Sequence, residues 1–172
     1  MDSKPLRIEI RRLLLLRLAE QGLSEVHVLA SYQSSSQGVE RDSIYFFDID
    51  GERVGWQGRS YTPATSMRKE RQNVESPMQF GALVKKDSAL TADDLLSRAA
   101  MVINSLGFID DCQRSGIGVQ VISTIRKPYF KNEKGQFEQS PSFDVVFSHH
   151  QTIDQAQAFT SQLDPDFHRV EA

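Results

Sequence analysis

The chain has 172 residues, 39% hydrophobic and 25% charged; this is close to average globular usage, so one domain with a buried core is expected and disordered, fibrous and collagen-like classes are excluded. Twenty Lys and Arg against 23 Asp and Glu leave a formal charge of -3, so global charge does not draw the chain to nucleic acid and any basic patch must be local. The single cysteine, Cys112, excludes an intrachain disulfide and a cysteine zinc site, and is compatible with a reducing cytoplasm.

The apolar run Leu13 to Leu16 is bracketed by Arg7, Arg11, Arg12 and Arg17 and is too short to span a bilayer, so neither a signal peptide nor a membrane segment is expected there. A helix from about Pro5 to Gln21 fits better, with Pro5 in its first turn and Gly22 placed to end it. Leu6, Ile10, Leu13 and Leu14 form one apolar stripe, whereas Ile8, Leu15 and Leu16 fall on other faces. Such a helix needs cover on two sides, from the monomer core or from a neighbouring subunit.

Val26 to Leu29 reads as a short strand and 33–38 as a polar loop. Ile44 to Ile49, the turn signal Asp50-Gly51 and Arg53 to Trp56 read as a hairpin. Gln57 to Ser66 has little periodicity and reads as an exposed loop or an extended arm. Met67 to Val74 and Met78 to Val84 then read as strands, the second with Met78, Phe80, Ala82 and Val84 on one face. Thr91 is a helix N-cap, followed by Asp93 and Asp94 in the first turn and by Leu95, Leu96, Ala99, Val102, Ile103 and Leu106 on one face, with Gly107 closing the helix.

Val119 to Tyr129 and Gln136 to Ser148 form a long antiparallel hairpin around the polar turn Lys131 to Gly135, with Phe143, Val145 and Phe147 on one apolar face. From Thr152 to Leu163, the residues Ile153, Ala156, Phe159 and Leu163 recur at helical spacing. The expected fold is α+β, a mostly antiparallel sheet carrying an N-terminal helix and a central helix, with a long β-hairpin near the C-terminus. Residues 1–150 make the single domain, and 151–172 an amphipathic segment and tail.

Catalytic chemistry finds little support. His149-His150, with Asp144 and Asp154 nearby, resembles a metal site in composition, but adjacent residues of a strand point to opposite faces and cannot share an ion. Gly116-Ile117-Gly118 begins like a dinucleotide fingerprint, yet lacks the third glycine and leads into a strand. No phosphate-binding loop, serine nucleophile elbow or paired-histidine metalloprotease motif is present. Asp110 and Asp111 beside Cys112 would raise a thiol pKa, which argues against a nucleophile. No catalytic residue, cofactor or metal is therefore expected. The cations Arg68, Lys69 and Arg71, and the pair Arg126 and Lys127, are candidates for contacting phosphates or a partner, or else belong to a solvated strand face.

Four segments carry a family resemblance: Met78 to Val84, Gly116 to Val119, Arg126 to Asn132, and above all Gln136 to Val145. From Met67 to Gln151 the chain resembles the neck and tail-terminator proteins of tailed bacteriophages, some of them called gateway proteins. The resemblance implies a virion protein, assembled in the host cytoplasm into a ring of usually six copies between the head connector and the tail tube or sheath. In such a ring genomic DNA passes through the lumen without sequence recognition, and no membrane, cofactor or catalysis is involved. A closed ring needs one patch to meet a different patch on the next copy, and the surplus apolar residues of the first helix (Ile8, Leu15, Leu16) and of the hairpin (Phe143, Val145, Phe147) are the candidates for it. The alternative is a cytoplasmic α+β module that binds nucleic acid through Arg68 to Arg71 and Arg126 to Lys127. A third reading, a metal-dependent hydrolase using His149 or His150, predicts bound metal.

Overall fold

Period-two burial dominates the sheet. In the computed structural model, which describes residues 1–30, 41–131 and 137–157, the inward side chains of strand β4 (Met67–Leu83) include Val74, Met78, Phe80 and Ala82, and those of β8 (Ser142–Ala156) include Phe143, Val145, Phe147 and His149. The other named strands are β1 (His27–Leu29), β2 (Ser43–Asp48), β3 (Glu52–Thr62), β5 (Ile117–Ile122), β6 (Tyr129–Lys131) and β7 (Phe137–Gln139). The main sheet runs β1-β2-β4-β8-β5, with β3 also on β4; the β1–β2 pair is parallel and every other pair is antiparallel. This is the expected α+β fold. Phe46, Phe80 and Phe143 are cross-strand partners, and their rings stack at 5.1 and 5.3 Å between centroids. A one-residue slip would turn such a row to the other face, so it helps fix the register of three strands.

Three helices cover that apolar face. Helix α1 (Ser3–Glu20) buries Leu6, Ile10, Leu13, Leu14 and Leu18, the expected stripe extended by one residue. Its end is a Schellman arrangement: Gly22, at φ 75°, donates to Ala19 O, and Leu23 donates to Leu18 O, each at 3.0 Å. Helix α2 (Ala92–Ile103) starts with a reciprocal capping box between Thr91 and Asp94. The expected extension to Gly107 is broken. Ser105 Oγ donates to Val102 O at 2.6 Å and accepts from Phe108 N–H at 3.3 Å, so one side chain helps close α2 and caps α3 (Leu106–Arg114). Gly107 thus lies inside α3, where a Cβ would come within 3.0 Å of the Arg17 guanidinium. Among the described residues no helix is long and apolar enough to cross a membrane.

Two further expectations are corrected and one open alternative is decided. The Ile44–Trp56 hairpin does not form: β2 and β3 both pair with β4, Asp48 facing Met78 and Glu52 facing Glu75, so they run in the same direction along one edge. Between them, residues 49–51 oppose only Ser76 and Pro77, a bulge in which Ile49 N–H bonds Pro77 O at 2.9 Å. Second, Gln57 to Thr62 is strand, the extended arm rather than the loop. Third, β8 continues to Ala156, with Ile153 facing Glu70 and Ala156 facing Met67; pairing with β4 overrides the helical spacing at 152–156. Phe159 and Leu163 lie outside the described residues. The C-terminal hairpin is present as β5 against β8, Val119 facing Phe147. It is interrupted near Pro128 and Pro141, which lack amide donors, and continues as the β6–β7 ribbon.

Candidate assembly surface

The sheet divides into two regions along β4 and β8. Phe143 to His149 and Val74 to Ala82 lie under the helices, whereas Glu52 to Thr62, Met67 to Asn73 and His150 to Ala156 make a three-stranded arm with few buried side chains. By strand geometry the paired arm from Met67 to Glu75 is about 30 Å long. Its hairpin turn at Pro63–Thr65 is a single 3-10 turn, followed by Ser66 at φ 51°.

With little apolar surface to bury, the arm is tied by polar bonds. The Glu70 carboxylate, on β4 and buried, meets Arg68 at 3.0 Å and Arg59 of β3 at 3.6 Å, and accepts from the Gln57 amide. Arg68 reaches on to Gln155 of β8 at 2.5 Å. One carboxylate thereby links β3 to β4, and its arginine partner links β4 to β8. Lys69 lies 3.9 Å from Asp154. Of the three cations singled out by sequence on this stretch, Arg71 is the one without an acidic partner among the described residues, and it is exposed. The other pair is likewise engaged: Arg126 holds both oxygens of Asp144 at 2.7 Å and Lys127 meets Asp93 at 2.8 Å. These surface pairs lower the positive potential that phosphates would feel.

The structure separates the six apolar candidates. Phe143, Val145 and Phe147 are fully buried in the chain's own core and have no surface to give a neighbour. Their apolar face is satisfied by the helices of the same chain. On α1, Leu15 is partly buried against the core, while Ile8 and Leu16 are 57% and 47% exposed. Sequence reasoning missed two of the most exposed apolar residues, Trp56, 99% exposed on β3, and Met101, 75% exposed near the end of α2, and it placed Leu106 on the apolar face of α2, whereas Leu106 opens α3 and is 79% exposed. Strand or helix periodicity could have placed Met101 off the apolar stripe, but nothing local marked Trp56.

The titratable candidates offer no assembled chemistry. His149 and His150 do project to opposite faces, the first buried and the second exposed. Burial, followed by the nearby amino group of Met1, lowers the His149 pKa, and neither ring nitrogen has a hydrogen-bond partner among the described residues. Burial chiefly, then the charges of Asp111 and Glu9, pushes the Cys112 thiol up to about 12, so it does not ionise near neutrality. Glu9 is held at about 2 by hydrogen bonds from Arg12 and Ser115, the latter at 2.6 Å, which ties α1 to the end of α3. No group of three metal-ligating side chains occurs among the described residues.

Helices cover one end of the sheet and, among the described residues, none covers the arm; the family comparison decides the kinship of the chain. The family described as E217 gateway protein gp29 matches residues 6–159. This chain belongs to that family. It is a family of phage neck and tail-terminator proteins, a structural and not an enzymatic class, and its members are virion components of the tail. Among solved structures, the sheath/tube terminator of an extracellular contractile injection system, PVC, in its extended state is similar at a TM-score of 0.59 and 10% identity, over 96% of this chain. The gateway-family chain spans 64% of that terminator's length, and at this identity the likeness is one of fold. No curated protein matches it.

Proposed function

We propose that this gateway-family protein forms a closed ring, of six copies as the family resemblance implies, at the junction of head and tail. The ring ends the tail tube, joins it to the head-side connector and lets DNA pass through its lumen without reading sequence. Membership of the gateway family over residues 6–159 carries the reading. Apolar side chains left exposed in separate places, Ile8 and Leu16 on α1 and Trp56 on β3, support it, because a ring contact joins two different patches. That Arg68, Lys69, Arg126 and Lys127 are paired with carboxylates supports passage of DNA without tight binding.

Electron microscopy of phage particles made without this chain tests the proposal. The expected result is filled heads separated from tails, with a density at the neck that returns when the chain is supplied from a plasmid. Joined particles with an unchanged neck in its absence would overturn it.

A further inference from the structure

His149 is 2% exposed and lies on the inward face of β8, in register with Val74 of β4 and Ile117 of β5. Neither ring nitrogen has a hydrogen-bond partner among the described residues. A neutral imidazole carries one donor and one acceptor, so the site leaves two polar groups unpaired, a cost that an apolar side chain of similar size would avoid. The position is also the last buried one of its strand: from His150 to Ala156 the side chains are exposed or half-buried. The unpaired ring therefore sits where the helix-covered sheet gives way to the arm.

The start of α1 meets β8 at this point. The Met1 amino group donates to the carbonyl of His150, and the Met1 backbone is near enough to the His149 ring to act on it. This end of the helix is loosely closed. Asp2, at the N-cap position, makes no side-chain capping bond, so it satisfies none of the free amides of the first turn. Buried Leu6, and Arg7 at 3.7 Å from Asp48, hold that turn on the sheet, whereas the far end of α1 has its Schellman closure.

We propose that His149 is a proton-operated latch at the root of the arm: uncharged, it lets the first turn of α1 close over β8, and protonated, it opens that turn and admits water to the Val74–His149–Ile117 rung. Val74 and Ile117 bring no counter-charge to the ring. Among the charged and titratable groups that act on it, Asp2 and the Met1 backbone favour the proton, while the Met1 amino group and His150 oppose it; burial opposes it most. An imidazolium there needs water. The loosely capped turn can lift away without breaking a strand pair, so the opening is local, and it releases the tie between Met1 and His150 that joins α1 to the base of the arm.

Hydrogen exchange of the purified full chain, read by mass spectrometry at about pH 7.5 and about pH 5.5 and corrected for the intrinsic pH dependence of exchange, tests the latch. In the opened form the ring has its ordinary pKa of 6.5, so one unit below that value the open population should rise about tenfold. The gain should appear in Ser3 to Ile10 and in the amides flanking His149, and not in α2 or in β4 from Met78 to Leu83. It should vanish in His149→Phe, and in His149→Gln, which keeps a neutral polar side chain should the aromatic one disturb folding; His150→Ala should retain it. A gain that survives in both His149 variants, that is lost in His150→Ala, or that spreads evenly over the chain overturns the latch. So does a start of α1 that is better protected in acid, since the imidazolium would then be bonding the Met1 carbonyl and tightening the turn.

Discussion

Strand β4 passes through two environments, and its halves are built on different principles. From Met78 to Leu83 it lies between β2 and β8 beneath three helices, and its inward side chains are Met78, Phe80 and Ala82. From Met67 to Asn73 it lies between β3 and β8 with no helix over it among the described residues, and its buried inward residue is Glu70. The same backbone pairing is thus stabilised by apolar burial in one half and, in the other, by a carboxylate that links β3 to β4 and an arginine partner that reaches β8. Burial is roughly proportional to area and cooperative across the core, whereas ion pairs near solvent are weak and local. The helical region should therefore set global stability and the arm should open below it.

The largest test of that contrast is Phe80→Ala. Phe80 stacks on Phe46 and Phe143 and also meets Phe147 at 6.3 Å, so truncation leaves a void at the centre of the sheet and should cost about 3–5 kcal/mol by denaturant unfolding. Gly81→Ala should follow at about 1–3 kcal/mol, because the new Cβ would fall 2.3 Å from the Tyr45 ring. Glu70→Ala leaves Arg59, Arg68 and Gln57 without their shared acceptor. It should speed amide hydrogen exchange in β3 and the outer part of β8 by about 1–2 kcal/mol of local opening, with little change in the unfolding midpoint. An equal fall in global stability would show that the arm and the core are one cooperative unit.

Acid should act on the helical region through two groups. His149 has a lowered pKa, so below its ordinary value of 6.5 the unfolded chain binds a proton that the folded chain refuses. Stability therefore falls as pH drops below that point, and His149→Phe should flatten this upper window. Glu9 has its pKa lowered from 4.5 to about 2, so its contribution is complete above 4.5 and is lost as pH falls toward 2. After allowance for solvent screening of the half-exposed Arg12, that contribution is about 1 kcal/mol, and Glu9→Gln should remove the lower window alone, as read by unfolding at stepped pH.

What could be read from sequence follows the same division. The α1 stripe, the Thr91 cap and the alternation of Phe143, Val145 and Phe147 were legible because burial imposes a period and capping needs particular side chains. The arm is legible only in part: Arg53 to Trp56 and Met67 to Val74 read as strands, but a strand exposed on both faces imposes no period, so 57–62 stays open between loop and arm, and Ile153 and Ala156 follow a helical spacing by composition alone. The Asp50-Gly51 signal was real as a break but misleading as a hairpin, because the bulge opposite Pro77 lets the chain continue along the same edge. The interface candidates on β8 failed for a related reason: a strongly apolar strand face announces burial without saying which molecule supplies the cover.

Trp56 marks the lower end of the scale. It is larger than Phe80, yet its indole has almost no surface removed from water in the single chain, so Trp56→Ala should change stability by no more than about 0.5 kcal/mol in the dissociated protein. Thermal unfolding of the variant beside wild type, at a concentration where light scattering shows only monomer, measures it. The pair of results sharpens the contrast between regions: an aromatic residue that is worth several kcal/mol to folding at one end of the sheet and almost nothing at the other. A Trp56→Ala variant that unfolds well below wild type would mean that the indole packs on its own chain, and the arm would then be held by apolar contact as well as by Glu70.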